Sequence, residues 1–127
     1  VHLPSHQLSI IQSLADGDPD VDAIYRMTRP LPVTFEPSKP LPILLPRHVL
    51  APMNAQASLF RRSAFFALLL PTTVHGRVSD IWRGYIAQRL LWGTGLQVAY
   101  TPPLVTQKRN PHSYLADFNA EIPLYER

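Results

Sequence analysis

The sequence predicts an α/β fold in which short strands and helices alternate along one compact unit. Three observations predict it. Strand-forming stretches at residues 31–35, 53–60 and 96–100 are interleaved with stretches of helical periodicity, no segment repeats, and 46% hydrophobic with 17% charged positions in 127 residues is enough for one modest core.

Ser5 can cap a short amphipathic helix through Gln7, Ile10, Ile11 and Leu14, closed by the Asp16-Gly17 turn signal. Asp18-Pro19-Asp20 then initiates a turn and a helical stretch through Val21, Ile24, Tyr25 and Met27. It ends before Arg29-Pro30, because a residue preceding proline disfavours α geometry. Residues 31–35 read as a proline-limited edge strand.

Of the chain's fourteen prolines, seven cluster between residues 30 and 52, where each fixes φ and removes a backbone donor, so that stretch reads as mostly loop. Residues 41–47 are hydrophobic but interrupted by Pro42 and Pro46, which favours an extended coil. Residues 53–60 are a better strand candidate, and 61–70 a helix stopped by Pro71.

The clearest element is a helix over 80–92. Ile81, Trp82, Tyr85, Ile86, Leu90 and Leu91 recur at helical spacing, Ser79 or Gly76 can cap its start, and Gly93 and Gly95 follow its end. Residues 96–100 alternate and carry β-formers, and Thr101-Pro102-Pro103 breaks that strand before residues 104–106. A last helix runs from about Pro111 to Glu121, with Asn110 as N-cap and Leu115, Phe118 and Ile122 facing inward.

The net charge of +3 comes from scattered arginines, with only short clusters at Arg61-Arg62 and Lys108-Arg109. No basic stripe of the kind a nucleic-acid binder needs is present, so nucleic acid is not an expected partner. The absence of cysteine excludes disulfides and thiolate metal sites without choosing a compartment. The longest apolar run, 63–71, falls well short of the roughly 20 residues a spanning helix needs, and no signal peptide is evident at Val1.

Candidate chemistry concentrates at Gly76-Arg77-Val78-Ser79-Asp80-Ile81-Trp82-Arg83-Gly84-Tyr85. Here a carboxylate stands in the expected first turn of a helix, where the dipole favours it by roughly 0.3 to 1 kcal/mol. Asp80 is either a structural first-turn aspartate or a group presented for chemistry. A loop and helix junction gives such a carboxylate access to an acceptor hydroxyl as general base. Arg77 pairs with Asp80, binds a phosphate, or is a plain surface arginine.

The run Asp18-Pro19-Asp20-Val21-Asp22 offers alternating carboxylates, which suit Mg²⁺ or Mn²⁺, but no glycine or ligand at the later positions of a calcium loop follows; turn formation with helix capping is the preferred reading, with sugar or acceptor contact next. Among five histidines, only His2 and His6 are close, and Pro4 breaks the helix their spacing would need, so zinc is not expected. Trp82 and Trp92 either stack on a sugar or pack in the core.

These residues carry a family resemblance. Gly76-Arg77, Asp80-Ile81-Trp82 and Gly84 resemble the Gly-Arg-x-x-Asp-(hydrophobic)-Trp-x-Gly stretch of the reversibly glycosylated polypeptides, which include UDP-arabinopyranose mutase-like proteins, and more closely that of STELLO-type glycosyltransferases. Pro52-Met53 with Phe60 and Arg62 is similar to the family's Pro-Met segment followed by Phe-x-Arg. Asp18-Pro19-Asp20-Val21-Asp22-Ala23 looks like its Asp-rich turn. Residues 95–103 and Asn110-Pro111 resemble its strand and Asn-Pro stretch, so the likeness runs from about Asp16 to Tyr125.

The resemblance implies a partial glycosyltransferase A-type (nucleotide-diphospho-sugar transferase-like) α/β sandwich with a proline-rich loop. Residues 1–127 would form the carboxyl-terminal part of a single domain whose amino-terminal nucleotide-binding half is absent. It implies a nucleotide-sugar donor and a saccharide or protein acceptor, with transfer or isomerisation of the sugar in the complete domain and none in this fragment alone.

By the same resemblance Asp80 contacts or activates the acceptor, and Arg77, Asp20, Asp22, Asn54 and Trp82 contact substrate. Mn²⁺ or Mg²⁺ would be held mainly by an upstream Asp-x-Asp. The family's histidine after the late strand is replaced here by Gln107, leaving His112 as a substitute ligand or as an exposed or helix-capping residue. A Golgi lumenal setting and polysaccharide biosynthesis follow from the STELLO likeness, a cytosolic one from the mutase likeness. The competing expectation is a non-catalytic, partner-binding scaffold of a larger protein complex, docking through its proline-rich stretch.

Overall fold

A computed structural model describes residues 7–36 and 42–126. The chain is a mixed α/β unit around a four-stranded sheet. In chain order its elements are β1 (Leu8–Gly17), α1 (Ala23–Thr28), β2 (Ile43–Leu44), β3 (Ser58–Phe60), a 3-10 helix (Arg62–Leu68), α2 (Gly76–Leu91), β4 (Gln97–Gln107) and α3 (Tyr114–Tyr125). The sheet order is β2-β4-β1-β3, with β1 parallel to β4 and both outer pairings antiparallel.

The first expected helix is instead the central strand β1, and Ser5 lies outside the described residues. Apolar positions at Ile10, Ile11 and Leu14 fit both periods over so short a run, and the paired β-branched isoleucines favour the pleated form. The polar residues Ser9, Gln12 and Ser13 are buried and hydrogen-bonded. Ser9 Oγ donates to the Gln97 carbonyl at 3.0 Å, and Ser58 Oγ donates to Gln12 Oε1 at 2.8 Å. β1 ends at Gly17, whose φ of +90° and closeness to the Gln107 carbonyl, 2.6 Å from where a Cβ would stand, admit only glycine.

Other boundaries move for identifiable reasons. The strand expected at 31–35 shrinks to one bridge, Val33 with Gly17. The coil expected at 41–47 contains β2, two residues held between Pro42 and Pro46 and paired with Tyr100 and Ala99 on β4; Leu41 lies outside the described residues. The strand expected at 53–60 survives only as β3, because Asn54 turns the chain by accepting from the Gln56 amide at 3.2 Å. The following helix is of the 3-10 type.

β4 runs straight through Thr101-Pro102-Pro103, where a break was expected. Its register slips there: Ser13 pairs with Thr101, but Ala15 pairs with Val105. The prolines, lacking donors, occupy the irregularity, and Leu104 N donates to Ser13 Oγ at 3.0 Å. α3 starts at Tyr114 with Ser113, not Asn110, as N-cap, so Pro111 precedes the helix. Leu115, expected to face inward, is 66% exposed, and Glu121 is the buried residue.

α2 begins four residues before the expected start. His75 caps it through Nδ1, which accepts from the Arg77 amide at 3.1 Å, in place of Ser79 or Gly76. The helix is also rotated from the expected orientation: Trp82, Ile86 and Leu90 are exposed, while Val78, Ser79, Arg83, Gly84, Ala87, Gln88 and Leu91 face inward. Small and polar residues win this face because α2 lies tight against the 51–55 segment. Gln88 Oε1 accepts from Ala51 N at 2.9 Å, and its Nε2 donates to Ala51 O at 2.7 Å. The core beneath joins Ile10, Met53, Ala64, Ala67, Ala87, Leu91 and Val98, each large side chain worth about 1.5–3 kcal/mol of burial.

Candidate functional site

Beyond the carboxyl ends of the parallel pair β1 and β4, the chain leaves a cavity of about 820 Å³. Five parts of the chain wall it: residues 20–25 leading into α1, the 52–55 loop, Leu70, the first turns of α2, and the end of α3. Asp20, Asp22, Asn54, Arg77 and Asp80 all line it, although they are far apart in sequence. Trp82 does not; it sits on the outward side of α2, edge-on to Tyr85 with ring centroids 6.5 Å apart, and Tyr85 supplies the aromatic wall.

The acidic run is divided among three tasks. Asp18 forms an ion pair with the buried Arg26, which also donates to the Pro19 carbonyl. Asp20 pairs with Arg109. Asp22 is the N-cap of α1, its Oδ1 accepting from Tyr25 N at 2.7 Å. Asn54 is likewise engaged: its Nδ2 donates to the Asp20 carbonyl at 3.1 Å and its Oδ1 accepts from Gln12 Nε2 at 3.2 Å. These bonds hold the cavity rim in shape.

Asp80 is the fifth residue of α2, so it stands past the first turn and the dipole contribution expected there is smaller. Its Oδ2 accepts from Ala55 N at 2.8 Å and its Oδ1 from Ile81 N at 2.9 Å, which orients the carboxylate while each oxygen keeps a second acceptor site. Arg77 does not pair with Asp80. It donates through Nε to Glu121 Oε1 at 2.8 Å and approaches Asp117 Oδ2 at 3.5 Å.

Glu121 and Tyr125 are the wall residues the sequence reading missed. Glu121 is 3% exposed and its Oε2 accepts from both Ala23 N and Tyr125 Oη, each at 2.8 Å. Desolvation, the hydrogen bond to Glu121, and the Glu121 and Asp22 charges push the Tyr125 phenol up; Arg77 opposes them. The available signal was the i, i+4 spacing of Asp117, Glu121 and Tyr125, which puts all three on one helix face.

His112 lies in a neighbouring cavity of about 370 Å³ that shares Asp20 and Arg77 with the larger one. Its Nδ1 is 2.9 Å from the Asn110 carbonyl and its Nε2 is 3.1 Å from Asp117 Oδ2. The Arg77 guanidinium already approaches that same oxygen, so this pair alone does not fit a divalent cation. Among the described residues no group of three histidine or acidic side chains could hold a metal, and no helix is long and apolar enough to cross a membrane. Gln107 accepts from Gln56 through Oε1 and stays within the protein's own bonding.

Comparison with known proteins shows what the chain is similar to. A family model described as STELLO glycosyltransferases matches residues 77–127. The chain is 38% identical over 110 residues to "Probable glycosyltransferase STELLO2" of Arabidopsis thaliana, covering 83% of this chain and 14% of that protein. It is 39% identical over 99 residues to "Probable glycosyltransferase STELLO1" of the same plant, covering 74% of this chain and 13% of that protein. The chain belongs to the STELLO-type family.

The STELLO match begins at Arg77 and takes in α2, β4 and α3, and so includes Asp80, Asp117, Glu121 and Tyr125. As a STELLO-type chain this is glycosyltransferase-like material, and it spans about one seventh of the length of STELLO2.

Proposed function

We propose that this chain forms the acceptor side of a nucleotide-sugar-dependent glycosyltransferase domain of the A-type architecture, with the nucleotide bound largely by a preceding half of the same domain. One observation carries the reading: Asp20, Asp22, Arg77 and Asp80, drawn from separate segments, line a single cavity of about 820 Å³. That volume suits a small saccharide, and carboxylates beside tyrosine rings suit its hydroxyls and its apolar faces.

In this reading the free acceptor site on Asp80 takes the proton of the attacking hydroxyl, which then bonds the anomeric carbon of the donor as the diphosphate leaves. Arg77, the cation in the cavity wall, stabilises charge on that leaving group. Holding both substrates in line supplies the larger part of the acceleration. Mn²⁺ or Mg²⁺, where used, draws its main carboxylates from elsewhere in the polypeptide, with the Golgi lumen and polysaccharide synthesis as the setting. The test is product formation by the full-length protein from a panel of UDP-sugars with Mn²⁺ and oligosaccharide acceptors. Turnover of none of them counts against the reading.

A second reading, a partner-binding scaffold that retains the fold, is favoured by the backbone amides already bonded to both Asp80 oxygens. It predicts no nucleotide-sugar binding by the full-length protein at all.

A further inference from the structure

Arg77 stands where the two cavities meet, since both are walled in part by it and by Asp20. A guanidinium has five donors in a rigid fork, and on a helix's first turn it is ordinarily free to swing. Here it is not free. Glu121 takes Nε at 2.8 Å, and Asp117 flanks Nη2 at 3.5 Å, leaving Nη1 without an acceptor among the described residues.

Glu121 is itself immobile, because its other oxygen accepts from the buried Ala23 amide on α1 and from Tyr125 Oη one turn later on α3. A single carboxylate therefore ties α1, α2 and α3 together at the cavity wall. Burying a charge at 3% exposure is costly unless it is paired and hydrogen-bonded, and Glu121 is both: Arg77, Ala23 and Tyr125 supply three donors to its two oxygens.

We propose that Glu121 is a positioning residue, which fixes the Arg77 guanidinium so that its remaining donors meet the diphosphate of the donor at the junction of the two cavities. This rests on the glycosyltransferase reading above and adds to it the residue that preorganises the cation. A preset fork loses little freedom on meeting an anion, whereas a released arginine must be ordered first.

The experiment measures the affinities of UDP and of uridine for the full-length protein in Mn²⁺, by calorimetry. Their ratio isolates the diphosphate. Glu121→Gln is expected to lower that ratio at least tenfold with uridine affinity unchanged, and Arg77→Ala to lower it as far. If Arg77→Ala lowers the ratio and folded Glu121→Gln does not, Glu121 is merely structural and the proposal is overturned.

If the wild-type protein binds UDP no better than uridine, or Arg77→Ala leaves the ratio unchanged, the donor-site reading beneath it falls instead. Should Glu121→Gln not fold, Arg77→Lys decides. Lysine lacks the rigid fork that meets Glu121 through one nitrogen while holding the others at a fixed place for the diphosphate, so the ratio must fall nearly as far as in Arg77→Ala; an unchanged ratio overturns the proposal.

Discussion

Gly84 of α2 lies so close to Met53 that a Cβ on it would stand 2.7 Å from the Met53 carbonyl oxygen. This approach lets the Ala55 amide reach Asp80 one helical turn earlier, so the missing side chain sets the orientation of a cavity carboxylate. Gly84→Ala gains helix propensity but must push backbone from backbone. It is expected to destabilise the protein by about 1–3 kcal/mol net, read as a lowered unfolding midpoint. It should also weaken acceptor saturation, because Asp80 loses its anchor.

Gln88 makes the next such tie. It is 2% exposed and satisfies both the amide and the carbonyl of Ala51. Gln88→Leu keeps the volume and strands two half-buried backbone groups, at about 1 kcal/mol each. Gln88→Glu retains the acceptor for Ala51 N and is expected to lose the bond to Ala51 O. Denaturant titration of both variants checks the order.

Tyr100 fixes an alkaline limit. Its hydroxyl donates to the Pro52 carbonyl at 3.0 Å, and burial, with Tyr85 adding, pushes the phenol from 10.0 up to about 12. The folded chain thus holds this proton more tightly than the unfolded chain. Its contribution is constant below pH 10 and is lost as pH rises from 10 to about 12. Tyr125 shifts in the same direction. Thermal midpoints measured at pH 9 and pH 11 should differ, and Tyr100→Phe should narrow the difference.

How legible the site was depended on what fixed each residue. Asp80, Arg77, Asp20, Asp22 and Asn54 were singled out by family resemblance in or beside separate short stretches, and all five line one cavity. The fold was read less well, because its decisive features are polar and non-local. β1 hides its strand character behind buried Ser9, Gln12 and Ser13, whose partners lie on other strands and loops. The rotation of α2 is set by Gly84 and Gln88 meeting the 51–55 segment, so its apolar stripe, Trp82, Ile86 and Leu90, faces outward against the expectation. Glu121 escaped notice for a related reason: its spacing from Asp117 and Tyr125 marks a helix face, but its burial follows only from its non-local partners Arg77 and Ala23.

Asp22 separates capping from substrate contact. Asp22→Ala removes the acceptor for Tyr25 N and is expected to cost about 1 kcal/mol of stability, whereas Asp22→Asn caps as well as aspartate. If Asp22 serves only α1, the asparagine variant matches wild type in both melting and sugar transfer. Reduced transfer with unchanged melting assigns it a contact to the saccharide.

Sugar transfer as proposed requires the carboxylate of Asp80 to act on a hydroxyl within the cavity. Asp80→Asn preserves an oxygen for the Ala55 amide, gives up the bond from Ile81 N and removes the proton acceptor, so the fold should persist at a small cost while chemistry fails. The decisive measurement is kcat for transfer from a UDP-sugar by the full-length protein, wild type against Asp80→Asn, with thermal melts alongside to show that the variant is folded. A fall of about 10²- to 10⁴-fold in the folded variant is predicted; a kcat equal to wild type would contradict it.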